Sequence, residues 1–339
     1  MASHLTRDVL RDPLVANDVA YAVLKPDGWT RDERLPLIVL LHGANSSSEV
    51  LAAFQPLIDS MWDDGSLPRS IIASASTPTT GGFYLDHEAG DCWESFMAVA
   101  FLRLLEDEYG ADGSRVSLLG SSMGGYGALK IAFADPARWQ AVAAIAPALL
   151  PATTPEQLRP RNTLGVLAQL GEEMAGDGTD QRFAENSVLH RLRVNADAIR
   201  ASELPIFLRC GDSDVFKLHD GTEQLHRALW DLDIGHEYHL VFGGDHIGPE
   251  AMAAQRAALA FIGAAQRARA GEDRTAADRE LEAAWLSWSA GGRKGTPPAL
   301  DAHGITGPTA LRVLLEPELA EAARRDPTAL RRYGIISPE

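Results

Sequence analysis

Apolar positions along this chain fall into short runs of strand length, separated by stretches with helical spacing. Leu35 to Leu41 reads Leu-Pro-Leu-Ile-Val-Leu-Leu, Ile71 to Ser74, Val116 to Leu119 and Leu204 to Arg209 are further runs, and Gln140 to Ile145 and Glu237 to Phe242 also read as strands. Unbroken apolar runs belong to strands buried on both faces, as in a parallel sheet covered by helices. Asp18 to Leu24 alternates instead and ends in the turn Pro26-Asp27-Gly28. Helical spacing marks Ser48 to Met61, with a kink or break expected at Pro56. Asp91, three residues before Glu94, resembles a capping box, and Met97, Phe101, Leu104 and Leu105 form the core face of the helix it would start. Ala128 to Ala134, Gly221 to Leu232 and Pro249 to Ala265 complete the helices. Strands alternating with helices in this way predict an α/β fold: a mostly parallel central sheet with helices on both faces.

Two segments depart from the alternation. Pro147 to Arg200 is a polar, helical insertion punctuated by Pro151, Pro155 and Pro160, expected to shape whatever pocket the sheet carries. Beyond residue 267 the pattern changes, which divides the chain into a core of 1–266 and a helical C-terminal extension of 267–339. Within the extension, Ala277 to Ser289 reads as an amphipathic helix with Leu281, Trp285 and Trp288 on one side. Gly291 to Pro298 is linker-like, and Asp326-Pro327 and Gly334 mark a helix start and stop. The tryptophan face would dock the tail on the core, join copies of a homo-oligomer or cover the pocket.

Composition narrows the classes of partner. The net charge of −16 disfavours nucleic acid and anionic membrane surfaces, and no apolar run is long enough to span a bilayer. Residues 267–339 are charge-balanced, so the core carries the whole acidic excess. Cys92 and Cys210 are too few for a disulfide framework, and the charged stretch from Met1 to Asp18 lacks the apolar segment of a secretory signal. A soluble, cytoplasmic protein is the resulting expectation.

The chemistry centres on Gly120-Ser121-Ser122-Met123-Gly124-Gly125-Tyr126-Gly127, where an apolar strand enters a Gly-x-Ser-x-Gly pattern that continues as helix. Such a turn strains the central serine and lifts its hydroxyl above the sheet edge beside a helix N-terminus. A serine hydroxyl needs a base beside it and donors for the oxyanion that its attack creates. His246 lies in the Gly-rich loop after the last predicted strand; His219, His226, His236 and His239 lie within or beside regular elements and are weaker candidates. The orienting acid should come from Gly211-Asp212-Ser213-Asp214, where spacing favours Asp214 and turn chemistry accounts for Asp212. The order Ser122, Asp214, His246 is the α/β-hydrolase order. Oxyanion donors are expected from the N–H of Met123 and of Ala44, in the loop after Leu40-Leu41-His42-Gly43.

With those residues in place, the chain resembles the α/β-hydrolase superfamily. Within it, the resemblance is to the putative esterase group that includes esterase D (S-formylglutathione hydrolase), the antigen 85 mycolyltransferases, feruloyl esterases and enterobactin-type esterases. It rests on Leu40-Leu41-His42-Gly43, Phe83-Tyr84, Trp93-Glu94-Ser95-Phe96, the elbow, and the Asp214 and His246 loops, over residues 18 to 265. It implies an α/β-hydrolase fold, with Ser122, Asp214 and His246 as a catalytic triad and Ala44 and Met123 as the oxyanion hole. The tail has no counterpart in the resemblance, and Asp245, just before His246, is placed to bias the charge of that histidine.

The expected function is a serine esterase cleaving a small-molecule carboxylic ester through an acyl-enzyme, with no metal or organic cofactor. Acyl transfer and thioester cleavage use the same triad, and a non-catalytic binding protein on a hydrolase fold is the reading from a different class. Small metabolite esters or siderophore-like lactones suit a cytoplasmic protein better than polymers. Asn45, Phe83, Tyr84, Trp93, Phe216 and Ile247 are the expected pocket walls. Asp86, His87, Glu88 and Asp91 could hold a metal, although a solvated rim loop is the stronger reading, and a bridge between Cys92 and Cys210 is a weak one.

Overall fold

A computed structural model describes residues 3–176, 178–248, 250–270, 287, 288, 290 and 291. The chain divides into two compact units, Met1–Arg267 and Ala268–Glu339. The tail elements expected over 277–289, 291–298 and 326–334 lie outside the described residues, apart from 287, 288 and 291.

The first unit is built on one eight-stranded sheet. Its strands are β1 (His4–Leu10), β2 (Val19–Lys25), β3 (Pro36–Leu41), β4 (Ile71–Ala75), β5 (Asp112–Ser121), β6 (Trp139–Ile145), β7 (Ile206–Gly211) and β8 (Glu237–Val241). Their order in the sheet is β1-β2-β4-β3-β5-β6-β7-β8. The β1–β2 and β2–β4 pairs are antiparallel and the other five are parallel. The mostly parallel sheet is the one the apolar runs predict, except that β1 is not legible in the sequence. It is a half-exposed edge strand with no apolar run to announce it.

Helices cover both faces: α1 (Val50–Asp63), α2 (Trp93–Ser95), α3 (Phe101–Tyr109), α4 (Met123–Ala134), α5 (Val166–Ala175), α6 (Asp180–Asn186), α7 (Val188–Val194), α8 (Ala196–Ser202), α9 (Leu218–Asp231) and α10 (Glu250–Ala270). Alternate residues of β3 show why the sheet needs two layers. Leu37, Val39 and Leu41 join one core, with side chains of α3, α4, α9 and the insertion helices. Ile38 and Leu40 join the other, with Leu51, Ile58 and Met61 of α1 and Ala258, Leu259 and Ile262 of α10.

Two local expectations are corrected. Pro56 neither breaks nor ends α1, which runs through it to Asp63. Asp91 does not cap the helix that follows, because Cys92 takes the cap position without a side-chain bond. The Asp91 carboxylate accepts from the N–H of Ala16 instead, and Glu94 is drawn into an interior ion pair with Lys130. A π turn, Phe96–Ala100, joins α2 to α3 and buries Phe96 and Met97 together with Phe101. The helix stops at Gly110, which is left-handed at φ 60° and satisfies the C-terminal carbonyls.

Candidate active site

The parallel strands end together, and their register sets the loops side by side. Leu41 pairs with Gly120, Ser121 with Ile145, Ile145 with Arg209, and Gly211 with Val241. Beyond that edge lie the loop after β3, the β5–α4 elbow, the β7 loop with Asp214 and the β8 loop with His246, where ligands of open parallel sheets bind.

Ser122 stands alone between β5 and α4 with φ 56° and ψ −119°, a conformation that a non-glycine residue adopts only when its surroundings impose it. Those surroundings are specific: its N–H donates to the carbonyl of Ile145, and its own carbonyl accepts from Ala148 and Tyr126. A Cβ on Gly120 would lie 2.0 Å from the carbonyl oxygen of Gly124, and one on Gly124 would lie 1.9 Å from that of Leu41. The glycines therefore let helix and strands close around the serine.

His246 Nε2 is 3.1 Å from Ser122 Oγ, and His246 Nδ1 is 2.8 Å from Asp214 Oδ2. Asp214 is fully buried, and its other oxygen accepts from the N–H of Phe216 at 2.8 Å. Asp212 holds the neighbouring loop instead, accepting from the N–H of Gly243 at 2.7 Å. Asp245 accepts from the N–H of Val215 and from that of His246, and these bonds hold its carboxylate below the usual range. The edge of the Phe216 ring meets the His246 ring at 4.9 Å between centroids.

The other candidate histidines have partners elsewhere. His226 Nδ1 lies 2.7 Å from His236 Nε2, His239 pairs with Glu237, and His219 faces Asp220.

On the opposite side of Ser122, a Cβ on Gly43 would be 3.5 Å from that of Ser122, so the loop after β3 packs directly on the elbow. Ala44 follows in that loop, and Met123 is the first residue of α4, where an N–H has no acceptor within the helix. The loop is held by contacts that the sequence alone does not show. The buried ring of His42 donates through Nδ1 to the carbonyl of Gly43 and accepts through Nε2 from the N–H of Thr77. Burial pushes its pKa down, in keeping with that neutral tautomer. Tyr84 donates its hydroxyl to the carbonyl of His42, and Thr79 Oγ1 accepts from the N–H of Asn45, a residue at φ 56°.

Several expected walls are interior. Phe83 and Tyr84 are 0% exposed and Trp93 is 4% exposed. The polar, Gly-rich composition around them suggests a rim, but the aromatic pair folds inward, and a Cβ on Gly127 would strike the Tyr84 ring. Asn45 is exposed, Ile247 is 80% exposed, and Phe216 stands against His246. A cavity of about 180 Å³ reaches Ser122 and His246 and is walled instead by Leu40, Val50, Phe54, Leu119, Ala254 and Gln255.

Behind the elbow, fully buried Lys130 of α4 donates to Glu94 and to the carbonyl of Tyr84. Arg191 of α7 completes the ion cluster through both Glu94 oxygens. Burial would push Glu94 up, but the two cations outweigh it and hold the carboxyl below its usual range. Burial likewise brings Lys130 down to about 8, which leaves it charged at neutral pH. One signal for this cluster is visible in the chain: a lone lysine in the apolar helix Gly-Ala-Leu-Lys-Ile-Ala-Phe demands a carboxylate.

Among the described residues no cluster of His, Cys, Asp or Glu is placed to hold a metal ion. Asp86 accepts from Ser95, His87 faces Glu173 and Glu88 pairs with Arg182. Cys92 and Cys210 are free thiols, so the bridge considered between them is not formed. No described helix is long and apolar enough to cross a membrane.

Sheet order, elbow and loop placement together define an α/β-hydrolase. Residues 15–246 match the family model described as Putative esterase, and the chain belongs to that esterase family. A stretch of 75 residues is 36% identical to S-formylglutathione hydrolase of Bos taurus, covering 20% of this chain and 26% of that protein. The fold is also that of a ferulic acid esterase, with a TM-score of 0.65, 21% identity, and coverage of 78% of this chain and 98% of that one. An S-formylglutathione hydrolase from Agrobacterium tumefaciens superposes with a TM-score of 0.58 at 18% identity, over 80% of this chain and 94% of its own. A fluorophosphonate-binding serine hydrolase of Staphylococcus aureus gives a TM-score of 0.62 at 15% identity, over 77% and 99% of the two chains.

Proposed function

We propose that the protein is a serine esterase that cleaves a small carboxylic ester through Ser122, His246 and Asp214. The observation that carries this reading is the unbroken line from Asp214 Oδ2 to His246 Nδ1 at 2.8 Å and from His246 Nε2 to Ser122 Oγ at 3.1 Å. Ser122 Oγ bonds to the carbonyl carbon while His246 takes the hydroxyl proton. The N–H groups of Met123 and Ala44 bind the oxyanion, and the proton on His246 leaves with the departing alcohol. Water then repeats the sequence on the acyl-enzyme, releasing the acid and free Ser122. Asp214 holds the imidazole tautomer that accepts at Nε2. The route needs neither metal nor organic cofactor.

Purified protein should cleave chromogenic esters, lose that activity in Ser122→Ala, and be labelled at Ser122 by a fluorophosphonate. Retained cleavage in Ser122→Ala, or labelling elsewhere, overturns the assignment. The stretch similar to S-formylglutathione hydrolase favours a thioester as a second substrate type for the same acyl-enzyme. Comparing thioester with oxygen ester, each with and without a competing alcohol, distinguishes thioesterase, esterase and acyltransferase.

A further inference from the structure

His246 follows β8, which among the described residues has a strand neighbour on one side only. The β7–β8 ladder ends where Gly211 meets Val241, and the loops carrying Asp214 and His246 begin there. Past the ladder, other contacts must keep acid and base in register. Two backbone bonds contribute, from the N–H of Asp212 to the carbonyl of Val241 at 3.1 Å and from that of Ser213 to the carbonyl of Gly244 at 3.0 Å. The loops touch at this point, where a Cβ on Gly211 would lie 2.1 Å from the carbonyl oxygen of Gly244.

Each loop also carries one aspartate that reaches across to the other. Asp212, in the acid loop, accepts through Oδ1 from the N–H of Gly243 at 2.7 Å. Asp245, in the base loop, accepts through Oδ1 from the N–H of Val215 at 2.9 Å, and the same oxygen takes the N–H of His246 at 2.6 Å. Val215 adjoins Asp214, so a single oxygen joins the residue after the acid to the base itself. Bonds from an N–H to a carboxylate are about twice as strong as those between neutral groups. The Asp245 carboxyl is held below its usual range, first by the N–H of His246 and then by that of Val215, and so stays ionised at neutral pH. These contacts bridge the gap across which Asp214 meets His246 Nδ1 at 2.8 Å, and a misplacement of about 1 Å in such a geometry can cost about 10²-fold in rate.

We propose that Asp212 and Asp245 form a reciprocal clamp between the two loops and are positioning residues for ester cleavage, acting through Asp214 and His246. The proposal rests on Ser122, His246 and Asp214 as the catalytic machinery. Because the clamp acts on backbone, it governs the rate of the chemical steps and not the affinity for the ester.

The test measures kcat and KM on a chromogenic ester, fluorophosphonate labelling, and amide hydrogen exchange at Val215 and Gly243. Asp245→Ala should lower kcat by about 10- to 100-fold and leave KM within about twofold of wild type, the pattern of a misplaced base. Asp245→Asn should recover most of that loss, because its amide oxygen accepts the same two N–H groups and the residue is exposed. Asp212→Ala should lose about tenfold, and the double alanine variant should lose more than the product of the single losses, since each single variant keeps half of the clamp. Exchange should quicken by about tenfold at Val215 in Asp245→Ala and at Gly243 in Asp212→Ala.

A kcat for Asp245→Ala within about twofold of wild type overturns the positioning role, as does a loss carried by KM or an Asp245→Asn no better than Asp245→Ala. Exchange unchanged in the alanine variants overturns the clamp itself, and a double variant that only multiplies the single losses overturns its reciprocity. If Asp245→Ala does not fold, Asp212→Ala and its rescue by Asp212→Asn decide in the same way. Labelling of wild type at Ser122 with kcat unchanged in the alanine variants overturns the clamp alone, whereas no labelling and no ester cleavage by wild type overturn both readings.

Discussion

Asp214 is fully buried and divides its carboxylate: one oxygen faces His246 Nδ1 at 2.8 Å and the other accepts from the N–H of Phe216. The second bond fixes the orientation of the first. Asp214→Asn should preserve the fold but present the wrong hydrogen-bonding group to Nδ1, lowering kcat by about 10⁴-fold with little change in KM. Asp212→Asn should stay within about tenfold of wild type, because Asp212 ties down the backbone of Gly243 and does not meet the imidazole. Steady-state kinetics of the two variants on one ester checks the contrast.

The elbow tolerates no extra atom at its crossing point. A methyl group on Gly124 would sit 1.9 Å from the carbonyl oxygen of Leu41, a contact that only backbone displacement relieves. Gly124→Ala is expected to cost about 3 kcal/mol and to move Ser122 away from His246. Urea unfolding should show the loss, and fluorophosphonate labelling at a denaturant concentration that leaves the variant folded should be slower.

The ion cluster beneath the elbow predicts an order of stabilities. Glu94→Gln leaves Lys130 buried beside Arg191 with no counter-charge, at a cost of about 3–5 kcal/mol. Lys130→Met removes a charge and fills the space with apolar volume, while Glu94 keeps Arg191. It should be distinctly milder. Thermal unfolding that found the two variants equal would contradict this account of the cluster.

Histidine burial sets the acid side of the stability profile. Burial depresses the pKa of His42, of His226 (with a smaller contribution from Arg227) and of His236 (with one from His226). Unfolding returns each to about 6.5, so the unfolded chain binds more protons at mildly acidic pH. The stability these groups contribute is present above about pH 6.5 and is lost as pH falls towards their folded values. Chemical unfolding between pH 7.5 and about 5 should show the decline, and His42→Gln, which keeps an acceptor for Thr77, should flatten it.

Thr79 braces the loop after β3, in which Ala44 is proposed as an oxyanion donor. Its hydroxyl accepts from the N–H of Asn45, the residue after Ala44. Thr79→Val should lower kcat by about three- to tenfold with KM unchanged, since a loosened oxyanion donor weakens the transition state more than the ground state. Thr79→Ser should restore kcat, which a loss of packing alone would not explain.

Much of this was legible along the chain because it depends on local rules. Runs such as Leu35 to Leu41 can be buried only between two helical layers, so they fix the parallel sheet, and Gly-x-Ser-x-Gly between strand and helix marks the elbow. The histidine in a loop after the last strand and the acid before it follow from chain order. Strand β1 escaped because an edge strand needs no apolar run. The Asp91 cap failed because a more distant partner, the N–H of Ala16, competed for the same carboxylate.

What tertiary structure alone decided are the contacts between segments distant in sequence. Phe83, Tyr84 and Trp93 look like pocket walls in a polar stretch, but packing against α4 and its neighbours takes them inside. The cavity belongs instead to Leu40, Phe54, Leu119 and Gln255, drawn from four separate elements. Hydrophobic periodicity determines which residues are buried within each element. Which of them meet around Ser122 depends on how helices and strands pack across the sheet, and that information is not local to any segment of the chain.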